Sequence, residues 1–580
     1  MTTALPKPSD FEVSVLGYEP AELIKAAGDC MASGGYVDAE TLLRAAATKR
    51  PQDAETRYRL AGAQIALGKL EEAQRTLAEA RDLHGRLVIQ TMAPKALAPD
   101  ASTADLVEAA EMLYANNQMA AATHVMQRLM EMHPAEPGLR LKLGLALQHQ
   151  GRMDEAIATY EGALRHWPSA EDHSYLHYAR AFQRATPDAM LQEGLRWVEL
   201  HAPKTQAPRP PALHRPDGRL RIGYFAPLFN QHQLSKFIQP VLEHHDRTRF
   251  SVVCYSGAPA GDDTAKAIKA GADLWREVEL FDDDAFARQV VEDKIDVLVD
   301  LWGHTAGSRL LLFARKPAPI QLSWINYVET TGLTQFDYVL HADGYSDLPD
   351  AQDLYSETIL PIGPIVAPYR PSHDIPPPND TPMLTSGAMT FGCFGHPAKI
   401  TLEVIATWAS ILEALPEAKL VLRSVYFDDL PLKRTIWAQF DAFGIGAGRI
   451  VFPPFASGKD FLLAYHAVDL ILDPFPYQGL TTTLDAISSG VPVLTWRGDH
   501  MHNRIAAVTL RACGLDELVC ESREAYVQTA IDLAGDPQRL NALRARVRPG
   551  FDASAYRDEV GFTRRYETAL EVMADAYRPG

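Results

Sequence analysis

Cysteine is scarce. Five residues in 580, Cys30, Cys254, Cys393, Cys513 and Cys520, stand far apart with no CxxC among them. That argues against a disulfide framework or a zinc site and fits a reducing compartment. Long apolar runs are missing too: nothing reaches the roughly 18 consecutive apolar residues that a membrane span needs. The N-terminal MTTALPKPSDFEVSVLGYEP has no basic start followed by an apolar core, so it does not read as a signal peptide. Positive charge is in deficit, 56 Lys and Arg against 74 Asp and Glu, for a formal net charge of -18. Such a chain argues against nucleic acid as a main partner, because phosphate-backbone binding needs clustered cations. A local basic pocket for one or two phosphates stays open. The expectation is a soluble, cytoplasmic protein without membrane contact and without a metal.

What is present is ordinary globular material, 47% hydrophobic and 22% charged, in a chain long enough for about three or four domains. The first two hundred residues repeat. GGYVDAETLLRAAATKRP and GRMDEAIATYEGALRHWP read alike, with GKLEEAQRTLAEARDLHG and NNQMAAATHVMQRLMEMHP between them. Ala39 to Ala73 is 34 residues, Ala122 to Ala156 is 34, and Pro134 to Pro168 is 34 again. This is the tetratricopeptide period: a small residue lets two antiparallel helices approach, and a proline ends the second. The step from Ala73 to Ala122 is 49 residues, so an irregular insert around Met92–Ser102 is expected. Stacked repeats present a concave surface to peptides and proteins, which makes residues 1–202 a partner-selecting arm.

A proline-rich connector, 203–218, leads to a different pattern. RLRIGYFAP, FSVVCYSG, IDVLVDLWG, PIQLSWINY and DYVLHAD are strand-like, and segments such as DDAFARQVVEDK between them are helix-like. After a second proline-rich break at 376–387 come MTFGCFG, AKLVLRSV, GRIVFPPF, LILDPF and VPVLTW. Alternating strands and helices predict parallel sheets. The expected fold class is α + α/β: a repeat solenoid followed by two doubly wound domains over 219–375 and 388–580. Ligands of such domains bind beyond the C-terminal ends of the strands.

Four stretches carry candidate chemistry. In DPFPYQGLTTTLDAISSGVPVLTW a strand turns on Gly479 into a helix at Thr481, Thr482 and Thr483. Hydroxyls and free N–H groups at a helix start suit a phosphate, and Asp485 one turn on is an acceptor for ribose or sugar hydroxyls. The same residues also serve as an ordinary N-cap with a first-turn acid. In FGCFGHPAKITLEVIATW, Lys399 stands at a helix entrance, where it can neutralise a leaving phosphate or be a surface charge. In GYFAPLFNQHQLSK, His232 follows the first strand, where a neutral imidazole can take a proton from an acceptor hydroxyl. His304 in LWGHTAGSRL follows another strand end.

Repeats followed by LRIGYFAPLFNQHQLSKF, LVDLWGHTAGSRL, KPAPIQLSWINYVETTG, YSETILPIG, FGCFGHPAKI and DPFPYQGLTTTLDAISSGVPVLT resemble the O-GlcNAc transferase family over nearly the whole chain. The resemblance implies a GT-B fold, a nucleotide-sugar donor, no catalytic metal and no other cofactor, and glycosylation of protein side chains. It assigns His232 to the neighbourhood of the acceptor hydroxyl and Lys399 to the donor phosphate. His396 stands where the family often has Gln, and Thr481, Thr482 and Asp485 match the donor loop.

Three departures surround the donor. Leu480 replaces a phosphate-side histidine; Asn326-Tyr327-Val328-Glu329-Thr330 replaces a Gly-Tyr-Pro-Gly-Thr type loop; and Phe461 and Ala464 stand where His and Arg are usual. Tyr327 and Glu329 thereby become candidates on the sugar or acceptor side, with His304, and Phe461 a candidate beside the nucleotide base. Leu480 fits a donor with one phosphate, as in the related flagellin glycosyltransferase type, which uses a CMP-activated nonulosonic acid. The expected function is therefore protein O-glycosylation of an acceptor recruited by the repeats, with flagellin and a CMP sugar as one candidate pair. A UDP-GlcNAc donor is the alternative. A repeat scaffold whose transferase half has lost activity, and a small-molecule or lipid-linked glycan transferase, are the competing classes.

Overall fold

The computed structural model describes residues 18–134, 136–183, 185–204 and 212–578. Residues 1–17, which hold most of the stretch read for a signal sequence, and 205–211 of the connector lie outside them. The helices of the N-terminal part are α1 (Pro20–Ala32), α2 (Tyr36–Lys49), α3 (Ala54–Ala66), α4 (Leu70–Met92), α5 (Thr103–Ala115), α6 (Met119–Met132), α7 (Pro137–His149), α8 (Met153–His166), α9 (Ala170–Ala181) and α10 (Pro187–His201). Side-chain oxygens start several of them: Asp53 accepts from Glu55 N before α3, Ser169 from Asp172 N before α9, and Thr186 precedes Pro187 at the first turn of α10. The 34-residue spacing has its expected cause, since Ala39, Ala73, Ala122 and Ala156 are all 1% exposed or less. The irregular insert is a 3-10 turn at Pro94–Leu97 ahead of Ser102, which caps α5. Arg128 pins it by donating to the carbonyls of Ala96 at 2.7 Å, Ala98 at 2.6 Å and Pro99 at 3.1 Å.

The strands that follow are β1 (Leu220–Ala226), β2 (Phe250–Ser256), β3 (Leu274–Glu277), β4 (Val297–Asp300), β5 (Ile320–Ser323), β6 (Tyr338–His341), β7 (Thr358–Pro361), β8 (Thr390–Cys393), β9 (Lys419–Leu422), β10 (Ile450–Val451), β11 (Leu470–Leu472), β12 (Val493–Trp496) and β13 (Val519–Cys520). The chain divides into two compact units. The first takes in the chain up to Thr159 with Pro382–Ala456 and Arg523–Pro537; the second is Tyr160–Thr381, Ser457–Ser522 and the chain from Gln538 on.

In the first unit β8, β9 and β10 are parallel, with β9 between the other two. The repeats pack on the helix Leu430–Asp441. Gly62 of α3 lies so close to it that a Cβ would come within 2.8 Å of the Ala438 carbonyl oxygen. Ala120 N donates to Asp429 at 3.0 Å, and Arg434 pairs with Glu55 at 2.9 Å.

In the second unit seven parallel strands run in the order β3-β2-β1-β4-β5-β6-β7, and β12 pairs in parallel with β11 and β13. β1 and β2 are buried along nearly their whole length, as strands covered on both faces are. Trp197 of α10 joins Phe225, Phe286, Leu298 and Phe313 in the core beside the larger sheet. The C-terminal helix Glu559–Ala576 returns to this sheet, where Tyr566 stacks on Trp324 with ring centroids 4.6 Å apart. The strand order reverses between β1 and β4, and the crevice at such a reversal is where ligands of open α/β sheets bind.

Candidate functional site

At that reversal β1 delivers the loop holding His232, and β4 delivers Trp302. Their rings lie 5.2 Å apart. Leu234 N donates to His232 Nδ1 at 3.2 Å, and burial holds the imidazole pKa below its usual value. With Nδ1 accepting, the neutral ring carries its proton on Nε2. The outer nitrogen is therefore a donor in this geometry, and taking a proton there would require the other tautomer.

The loop after β11 enters the helix Thr481–Ser488. Asp473 fixes its approach, accepting from Gly479 N at 3.0 Å and Thr495 Oγ1 at 2.8 Å. Gly479 is required: a Cβ would stand 2.3 Å from Thr482 Oγ1. Thr483 Oγ1 donates back to the Gly479 carbonyl at 2.8 Å, which leaves the Thr481 and Thr482 hydroxyls at the helix start. Leu480, at the expected histidine position, precedes that helix with φ -98° and gives it no side-chain cap. Phe461, in the helix Gly458–Ala464, meets Tyr465 edge-on at 5.5 Å. Tyr465 Oη in turn donates to the Thr482 carbonyl at 3.2 Å, so the aromatic pair braces the loop.

Asp485 is 2% exposed and already engaged. Lys236 Nζ stands 2.9 and 3.1 Å from its two oxygens, and Tyr369 Oη donates to Oδ1. Burial, then the Asp485 charge, raises the Tyr369 hydroxyl pKa well above its usual range. Lys236 and Tyr369 are absent from the sequence reading. Lys236 stands inside the quoted LSKF motif four residues after His232, but its partner is 249 residues away and no local pattern names it.

His304, Tyr327 and Glu329 form a packed layer. All three are 4% exposed or less. His304 Nε2 donates to the Thr331 carbonyl at 2.9 Å, and its Nδ1 accepts from the Ser174 hydroxyl at 3.0 Å. Its ring stacks 4.3 Å from His177, and burial pushes its pKa down to about 3. Tyr327 Oη bonds His177 Nδ1. Glu329 pairs with His502 Nδ1 at 2.6 Å, and despite burial this partner holds the carboxylate pKa below its usual value. The His502 carbonyl accepts from Gln478 N at 3.0 Å, so Glu329 ties its own loop to the one ahead of Gly479.

In the first unit β8 ends at Cys393 and the chain passes through His396 into a single 3-10 turn, Pro397–Lys399. His396 Nδ1 accepts from Ala398 N at 3.1 Å. Thr401 then caps the helix Leu402–Ala414. Lys399 is thus carried on a turn that a buried strand and a capped helix hold from either side. Among the described residues no cluster of three or more His, Cys, Asp or Glu is arranged to hold a metal ion.

With this geometry in place, comparison with known proteins is informative. Residues 31–85 and 107–171 match tetratricopeptide-repeat models. The chain is 36% identical over 400 residues to the probable UDP-N-acetylglucosamine–peptide N-acetylglucosaminyltransferase SPINDLY of Hordeum vulgare, an alignment covering 68% of this chain and 42% of that one. The SPINDLY protein of Arabidopsis thaliana is 35% identical over 394 residues, 67% of this chain and 42% of its own. The chain therefore spans about two fifths of the length of these curated relatives. A mutant of the Thermobaculum terrenum O-GlcNAc transferase superposes with a TM-score of 0.75 at 28% identity, covering 96% of this chain and 98% of that one. The model of glycosyl transferase family 41 matches residues 192–362 and 379–564, which take in His232, Lys236, Lys399, Thr481, Thr482 and Asp485. More than half of the sequence is thereby accounted for, and the chain belongs to glycosyl transferase family 41.

Proposed function

We propose that this chain is a protein O-glycosyltransferase that moves N-acetylglucosamine from UDP-N-acetylglucosamine to Ser or Thr of an acceptor held by its repeats. The observation that carries the reading is the match of both α/β parts to a glycosyltransferase family, over residues 192–362 and 379–564, with Lys399, Thr481, Thr482 and Asp485 all inside it. The names of the plant relatives favour the uridine donor over the CMP-nonulosonic acid and flagellin pair. In this reading the helix start at Thr481 and Thr482 receives the donor phosphates through N–H groups and hydroxyls. Lys236 and Tyr369 hold the Asp485 carboxylate in place, so its remaining lone pairs accept from ribose hydroxyls. Lys399 stabilises the charge that develops on the leaving phosphate as the glycosidic bond breaks. His232 Nε2–H donates to a donor or acceptor oxygen at the β1–β4 reversal, a role that needs no proton abstraction by this ring.

A second donor is favoured by one residue. Leu480 removes a phosphate-side partner, and a single-phosphate CMP sugar needs fewer. Calorimetric titration of the full chain with UDP and CMP, together with the intact mass of a co-expressed acceptor, separates the two. Tighter UDP binding and an increment of one N-acetylhexosamine support the uridine reading. Tighter CMP binding with a nonulosonic acid increment replaces it, and binding of neither nucleotide removes the transferase reading.

A further inference from the structure

We propose that His149, a residue of the repeat arm, is a positioning residue for the turn that carries Lys399, acting through His396. The proposal rests on the reading of that turn as part of the donor site. Three directed hydrogen bonds support it. Ala398 N donates to His396 Nδ1 at 3.1 Å, which places the proton of the neutral imidazole on Nε2. His396 Nε2 lies 3.0 Å from His149 Nδ1 and donates to it. The His149 proton is then on Nε2, which stands 3.1 Å from Tyr114 Oη and donates there. Each ring has one tautomer compatible with both of its neighbours, so the chain of bonds runs one way, from the turn into the repeats.

Packing holds the chain in place. The His149 ring stacks on Tyr426 with centroids 4.2 Å apart and planes 13° from parallel, and the same tyrosine meets His396 edge-on at 4.8 Å. Burial keeps both imidazoles neutral, pushing His149 down to about 4 and His396 well below its usual value. The segment after α7 presses on the same turn. Gly151, with φ +70°, lies where a Cβ would be 3.1 Å from the Pro397 carbonyl oxygen. His149 at the end of α7 and Gly151 just beyond it thus bear on the segment from His396 to Lys399.

A contact that only glued the arm down would lower stability and leave donor use alone. A positioning contact changes the turn itself. His149→Phe keeps the stack on Tyr426 and removes the acceptor, whereas His149→Asn puts a side-chain amide oxygen close to the lost Nδ1. In the full chain without ligand, hydrogen exchange of the 394–400 segment is expected to accelerate in the Phe variant and return toward wild type in the Asn variant. The nucleotide Kd and the donor KM should rise about tenfold in the Phe variant, the loss of one hydrogen bond's worth of placement, with the repeats' affinity for acceptor unchanged. Exchange of 394–400 unaltered in His149→Phe would overturn the proposal whatever the ligand. Wild-type protein that binds neither UDP nor CMP would instead overturn the functional reading, while the exchange result still decides whether His149 orders the turn.

Discussion

Lys236 and Asp485 show how a buried charge acquires a use. Neither side chain is open to water, at 11% and 2% exposed, so removing one partner leaves the other unpaired, a change that costs about 3–5 kcal/mol. Lys236→Met is expected to lower the unfolding free energy by about that amount and to weaken nucleotide binding. Lys236→Met with Asp485→Asn should recover much of the stability but not the binding, as urea titration beside calorimetry would show; equal loss of stability in the single and double variants would deny the pair its role. Lys399→Ala, in contrast, should leave the unfolding midpoint unchanged and slow transfer roughly a hundred- to thousandfold, the usual effect of removing one electrostatic partner of a developing charge. Undiminished turnover would take Lys399 out of the site. These residues were unequally legible. Lys399, Thr481 and Thr482 sit in segments whose order matches the family. Lys236 is not singled out, because what makes it special is a carboxylate from a distant part of the chain. The partner of Glu329 is hidden for the same reason, since His502 is 173 residues further on.

The loop Asp473–Gly479 and the helix it feeds act as one element. Gly479 has no room for a side chain, with Thr482 Oγ1 at 2.3 Å and Asp473 Oδ1 at 3.4 Å from its would-be Cβ. Gly479→Ala must displace the Thr482 side chain at the helix start, and overpacking of this kind costs about 1–3 kcal/mol. The expected result is a lower melting temperature with a larger proportional loss of nucleotide affinity; a variant that binds as wild type would show that the helix start is not used. Most strands could be read from sequence because they are buried on both faces and therefore apolar throughout. The three that escaped, β3, β7 and β13, stand at the ends of their strand sets. β3 and β7 are half-exposed, and LWRE and TILP have neither the length nor the apolar run that marks an interior strand. β13 is only two residues long.

At the scale of the whole molecule the repeats are less detachable than their sequence suggests. The 34-residue period predicts a separate arm, but it cannot say that Gly62 abuts Ala438 or that Asp429 receives Ala120 N, contacts that make the helix Leu430–Asp441 part of the repeats' own packing. A fragment of residues 217–580 is therefore expected to lose stability as well as acceptor recruitment, and a fragment that melts like the full chain would contradict this. Burial on this scale also sets the response to acid. His149, His201 and His341 are pushed down to about 4 and His304 to about 3, with His177 and His396 also held well below the usual value, in each case chiefly by desolvation. An unfolded chain protonates all six as pH falls through about 6.5 and the folded chain does not, so their contribution to stability is present at neutral pH and lost on acidification. Three carboxyls with comparably large shifts oppose them, and burial raises Asp441 in the same direction. Burial raises Asp300 and Asp429 to about 7 and Asp172 to about 6, so these hold protons in the folded state that the unfolded chain sheds above about 4; their contribution is lost as pH rises. Six against three leaves the histidines in control between pH 6.5 and 5, where the net loss on acidification should be on the order of 5 kcal/mol. Urea unfolding at half-unit steps of pH measures it. A flat or rising stability toward pH 5 would mean that these imidazoles reach water in the folded protein.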